Sequence, residues 1–175
     1  MKAVLFGKLP AHGDFVSRGL GAVARDALDA WLAASLQDAR EALGDLFEAR
    51  YDAAPAWRFI EADGGALTAG VLAPSVDAAG RRYPVYLAMA GVEAAVALAA
   101  AEICEDLLYD AFGRDWDADQ IHAAAGEAVL SGEAGGEARP RWWTLGREDF
   151  APAGIAGHRP ATLLREVLAV KEVRP

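Results

Sequence analysis

Trp57-Arg58-Phe59-Ile60, then Asp63-Gly64-Gly65, then Ala66 to Leu72 is the stretch that decides the fold. Two apolar runs of strand length flank residues that tolerate positive φ, which is the pattern of a β-hairpin, so the two strands are expected to pair antiparallel. A polar, turn-forming segment from Pro74 to Pro84 follows, and Val85 to Ala90 reads as a third strand. Upstream, Lys2 to Phe6 is another short strand of the buried type.

Helical periodicity fills the rest of the chain. After Gly19 and Gly21, the residues Leu28, Trp31, Leu32, Leu36 and Leu43 fall on one face, while Asp29, Gln37, Asp38, Arg40 and Glu41 take the other. Gly44 ends or kinks this helix, and Leu46 to Tyr51 add a turn or two before Pro55. An alanine-rich helix is expected over Val92 to Phe112, with Val96, Ile103 and Leu107 inward and Gly113 closing it. Asp117 and Gln120 make a capping-box pattern for a further helix running to about Leu130, with Ile121, Ala125 and Val129 as its stripe. Ser131 to Pro140 is glycine-rich and is expected to be a mobile loop. Arg141 to Leu145 reads as a last strand that sends Trp142 and Trp143 to opposite faces, and Ala161 to Val170 as a terminal helix. The expected class is α/β: a three-layer sandwich with a mixed, largely antiparallel central sheet covered by helices on both faces, in one domain over residues 1–175.

With 54% hydrophobic residues the chain can bury a sizeable core. Its formal net charge of -9 argues against nucleic acid or an anionic membrane as partner, because both are bound through clustered Lys and Arg. Partners are expected to be proteins or small molecules. The lone Cys104 rules out disulfide frameworks and multi-cysteine zinc sites, and reads as a buried helix residue. His12, His122 and His158 form no pair at metal-ligand spacing, so neither a metal nor a cofactor is expected. The run from Met1 to Gly7 is too short for a secretory signal, and Val85 to Ile103 carries Gly91, Glu93 and Glu102, a poor spanning segment. The expectation is a cytoplasmic protein with no membrane insertion.

Two loops concentrate turn formers and charge. The first holds Gly7, Lys8, Pro10, His12, Gly13 and Asp14; the second holds Pro74, Ser75, Asp77, Gly80, Arg81 and Arg82. Gly7-Lys8 lacks the preceding glycine and following hydroxyl of a phosphate loop, and Gly19-Leu20-Gly21 follows no clear buried strand as a dinucleotide fingerprint requires. No serine has the glycine-flanked elbow of a hydrolase. Lys8, His12 and Asp14 lie together, which leaves a small hydrolase or phosphate-binding enzyme as one reading. The plainer reading is that Asp14 caps the loop, Lys8 and His12 are solvated, and Gly7, Pro10 and Gly13 set the bend. In the second loop Asp77 either pairs with Arg81 and Arg82, or the arginines present a basic spot suited to a carboxylate or phosphate; a pair from Asp14 to either arginine is a further option. Loop side chains contribute little to a core, so reversing Arg81 and Arg82 is expected to spare the fold. Each loop adjoins a strand end, and the two are expected to lie side by side.

Gly7 to Val16, Trp57-Arg58-Phe59, Gly70 to Asp77 with Gly80 to Pro84, and Trp142-Trp143-Thr144, in that order and approximate spacing, resemble the TagF family of type VI secretion-associated proteins. The resemblance covers the chain from about Lys2 to the double tryptophan. It implies an accessory, regulatory protein of the contractile secretion machine, one that represses it after translation through contact with its forkhead-associated scaffold protein. It also implies a three-layer fold and no catalytic residues, so the loop positions named above stand as a candidate interface.

Overall fold

The computed structural model describes residues 1–63, 65–131, 141–147 and 150–169. Seven strands form one sheet: β1 (Lys2–Gly7), β2 (Val16–Arg18), β3 (Trp57–Asp63), β4 (Ala66–Ala73), β5 (Val85–Val92), β6 (Arg141–Thr144) and β7 (Ala153–Ala156). Their order is β2-β1-β5-β4-β3-β6-β7, and every pairing is antiparallel. The β3–β4 hairpin brings Asp63 opposite Ala66. Gly64 of its expected turn lies outside the described residues, as do residues 132–140 of the glycine-rich loop.

Strand alternation sorts the core into two halves. Ala3, Leu5, Ile60, Val71, Leu87 and Met89 face one side and pack with the helices α3 (Ala97–Gly113) and α4 (Ala118–Glu127). Val4, Phe6, Trp57, Phe59, Tyr86 and Trp142 face the other, under α1 (Ala22–Leu43), α2 (Phe47–Ala53) and α5 (Leu163–Ala169). Burial on both faces is why the central strands read as nearly continuous apolar runs instead of alternating ones. The result is the three-layer sandwich, with Trp142 and Trp143 on opposite sides. Trp142 is fully buried and Trp143 half-buried.

Several boundaries depart from the sequence reading. Val92 ends β5, and a single 3-10 turn, Ala94–Val96, precedes α3, so that helix begins five residues later than expected from Val92. Its deep face is Ala97, Ala100, Ala101, Cys104, Leu108 and Ala111, with Val96, Ile103 and Leu107 on the flanks. Small side chains point at the sheet because they let the helix lie close to it, while the bulky ones fill the edges. The capping box of Asp117 and Gln120 is present, but α4 stops at Glu127 and Val129 is left 85% exposed. β6 is not the last strand, since β7 pairs with it, and β2 is a second strand unforeseen in the sequence. Both are only three or four residues long, too short for a two-residue alternation to register.

Charged pairs tie the layers together. Arg58 of β3 reaches Glu102 at 2.9 Å and also bonds Glu105, both on α3. On the opposite face the buried Glu61 carboxylate accepts from Nε of Arg159 at 3.1 and 3.2 Å, and the Arg159 guanidinium lies over the rings of Trp31 and Tyr86. Those contacts fasten the segment that leads into α5.

Candidate functional site

Topology alone brings the two motif loops together. Gly7 at the end of β1 and Ala73 at the end of β4 both lie opposite Val85, the first residue of β5, so the chain leaves the sheet twice at one end. Gly7 sits at φ +129°, and a Cβ there would fall 2.1 Å from the Pro84 carbonyl oxygen, so only glycine lets the two loops begin this close. The expectation that they lie side by side holds.

Asp77 is the hub. Its Oδ1 accepts from the backbone N–H of Ala79 (3.0 Å) and Arg81 (2.9 Å), and its Oδ2 from Lys8 Nζ (2.8 Å) and Arg81 Nε (2.7 Å). The carboxylate has no exposed surface, and the Lys8 side chain is 8% exposed. Lys8 is therefore not solvated, contrary to the plainer sequence reading. The Lys8 ammonium above all, with Arg81 and the Ala79 amide, holds the Asp77 carboxyl far below the usual carboxylate range despite its burial. Two further bonds stitch the loops: Ala78 N–H donates to the His12 carbonyl (2.8 Å) and Arg81 Nη2 to the Gly13 carbonyl (2.6 Å).

The proposed trio of Lys8, His12 and Asp14 does not converge. Lys8 turns inward to Asp77, and the Asp14 carboxylate accepts from the next residue's amide, Phe15 N–H, at 2.8 Å. His12 Nε2 accepts the N–H of Ala118 at 3.0 Å, one of the donors that the first turn of α4 leaves without a helical partner. His12→Ala should therefore loosen the start of α4 and cost about 1 kcal/mol in denaturant unfolding. No shared reacting position remains among the three side chains.

Of the two arginines, Arg81 makes the Asp77 pair that the sequence offered and Arg82 does not. Arg81 pairs with Asp77, whereas Arg82 is clamped bidentately by Asp52 of α2 at 2.8 and 2.7 Å and approached by Glu48 at 3.1 Å. Neither described set of bonds includes Asp14. Reversing either charge would break these bonds, so a stability cost is expected alongside any effect on binding. Tyr51 of α2 secures the loop's other limb: its hydroxyl donates to the Ser75 carbonyl and accepts the Ser75 N–H, both at 3.1 Å. Burial pushes that hydroxyl's pKa well up. Ser75 acts through its backbone, for its own hydroxyl has no partner among the described residues.

Gly7, Lys8, Ser75 and Asp77 are thus buried, and His12, Pro74 and Arg82 are half-buried. Pro10, Gly13, Asp14, Gly80 and Arg81 form the exposed rim. Phe15 joins that rim, 47% exposed, with its ring 4.7 Å from Tyr83 and Lys8 Nζ 5.0 Å from its centroid. Phe15 is absent from the loop residues named from the sequence; an aromatic directly after a polar loop is the signal that could have found it. Asp52 and Glu48 could not be found that way, because they lie on α2, with the whole β3–β4 hairpin between them and Arg82 in sequence. Among the described residues no group of three or more His, Cys, Asp or Glu is placed to hold a metal, and no helix is long and apolar enough to cross a membrane.

Comparison with known proteins is consistent with this geometry. The family model of the TagF N-terminal domain, Type VI secretion system-associated, matches residues 4–127. That interval contains both loops, the β3–β4 hairpin and α1 to α4. No curated protein matches. The crystal structure of PA0076 from Pseudomonas aeruginosa PAO1 at 2.05 Å resolution is similar, with a TM-score of 0.77 at 26% identity, covering 99% of this chain and 97% of that one.

Proposed function

This chain belongs to the TagF N-terminal domain family, which makes it a type VI secretion accessory protein, and we propose that it acts after translation as a negative regulator through protein–protein contact. The partner in this reading is the forkhead-associated scaffold of the secretion system, and the contact surface is the exposed rim of the two motif loops. The observation that carries it is the Asp77 knot: a buried carboxylate with four donors, spent entirely on holding two loops in one shape. Rigid loops on a scaffold are where binding surfaces concentrate. The same bonds favour a binding protein over an enzyme, because Lys8, His12 and Asp14 are each engaged by a different structural partner. Raising the level of this protein in cells with an active system is expected to lower release of the system's secreted proteins into the medium. Unchanged release at raised protein level would contradict repression.

A further inference from the structure

Beside the knot, a cleft of about 710 Å³ runs between α1, α2 and the second loop, lined by Lys8, Leu36, Arg40, Glu48, Arg81 and Tyr83 among others. It shares Gly80 and Arg82 with a second cleft of about 550 Å³, whose walls include Pro10, Tyr51, Pro74, Val76 and Phe112. The first is basic and the second largely apolar. We infer that this paired cleft binds an extended, carboxylate-bearing segment of a partner protein, with Arg40 and Arg81 receiving the acidic side chains and the adjoining cleft a bulky apolar one.

Charge counting supports that occupant. In a chain of net charge -9, Lys8 and Arg81 share the single Asp77 carboxylate, which leaves one positive charge uncompensated. Arg40 adds another: it has no carboxylate partner among the described residues and lies over the Phe47 ring, 5.1 Å from its centroid. Arg82 with its two carboxylates, Asp52 and Glu48, subtracts one, so the paired cleft keeps a net charge of about +1, carried at the Arg40 and Arg81 end. A local positive field on an acidic protein steers and orients a negative partner, and the guanidinium fork suits a carboxylate. A cleft of this volume exceeds what a small anion needs and suits several residues of extended chain.

The inference rests on the loop face being the docking surface, and deepens that reading by naming the partner's chemistry. The test is fluorescence anisotropy with a labelled synthetic peptide alternating Glu and Leu. The intact chain is expected to bind it, less tightly as salt rises. Arg40→Glu is expected to weaken binding about tenfold or more. A control reversal at Arg114, which pairs locally with Asp110, is expected to leave binding unchanged. Thermal melting verifies the fold of each variant, and Arg40→Gln serves should the reversal unfold the chain. Replacing Glu by Gln, or Leu by Gln, in the peptide should each weaken binding. Absence of binding, equal binding by folded Arg40 variants, equal binding of the Gln peptides, or binding only of a phosphorylated peptide would overturn the inference. Should the peptide fail while raised protein still represses secretion, the cleft assignment falls and the regulatory reading stands. The reverse result spares the cleft and removes the regulator.

Discussion

Trp142→Ala is expected to cost about 3–5 kcal/mol of folding stability in denaturant unfolding. The side chain is fully buried, its ring lies 4.6 Å from Phe59 and 5.6 Å from Trp31, and it sits opposite Phe59 in the β3–β6 pairing. Truncation would empty the junction of β3, β6 and α1, where three aromatic rings meet and none can move far to fill the space. Trp143, half-buried on the other face with Arg141 over its ring, should cost clearly less. Trp142→Phe should fall below Trp142→Ala for a separate reason. The buried indole N–H has no acceptor among the described residues, so phenylalanine keeps a ring while removing an unsatisfied donor. Equal costs for Trp142→Ala and Trp143→Ala would contradict the burial of one on a fully covered face.

Asp77→Asn is expected to lower stability strongly and to loosen the two loops against each other. Asparagine keeps the shape but loses the charge, leaving the Lys8 ammonium, 8% exposed, without its counter-ion. It also supplies one oxygen where two now accept four donors. The effect has a pH signature. The Asp77 carboxyl is depressed in the folded chain relative to an ordinary value of about 3.9, so below that value the unfolded chain takes up a proton that the folded chain does not. The stabilisation is therefore fully present above about pH 5 and is lost as pH falls through the ordinary range toward the depressed one. The stability difference between the parent and Asp77→Asn should narrow on acidification, measured by urea titrations across that range. A difference independent of pH would place the ion pair outside the stability of the fold.

How much of this was legible in the sequence depends on the range of the interaction. The hairpin, the Asp117–Gln120 capping box and the opposed tryptophans are local patterns, set by turn chemistry and side-chain alternation, and they were readable directly. The α3 face was misjudged because alanine carries no periodic signal: five of its six deepest residues are alanine or cysteine, and only the nearness of the sheet selects them. The loops were recognised as neighbours, but not their wiring. Lys8 to Asp77 spans 69 residues and follows from the strand order, and Arg82 to Asp52 spans 30 and follows from where α2 packs; no single stretch encodes either. So Lys8 read as solvated, and Arg82 as a partner of a loop aspartate or a basic spot, when each closes a bond between elements. Arg40 passed as one polar residue on the outer face of α1. Its importance emerges only when that face becomes a wall of the cleft.

The most direct test of the central claim is capture from cells that contain the whole secretion cluster, using the tagged parent chain and the Phe15→Ala, Arg40→Glu double variant. Both positions are exposed, and the variant should remain folded by circular dichroism. The parent is expected to retain the forkhead-associated scaffold, identified by mass spectrometry, and the folded double variant to lose it. Capture of the scaffold by both proteins in equal amount, or by neither, would contradict the assignment of the loop rim and its cleft as the surface through which this protein acts.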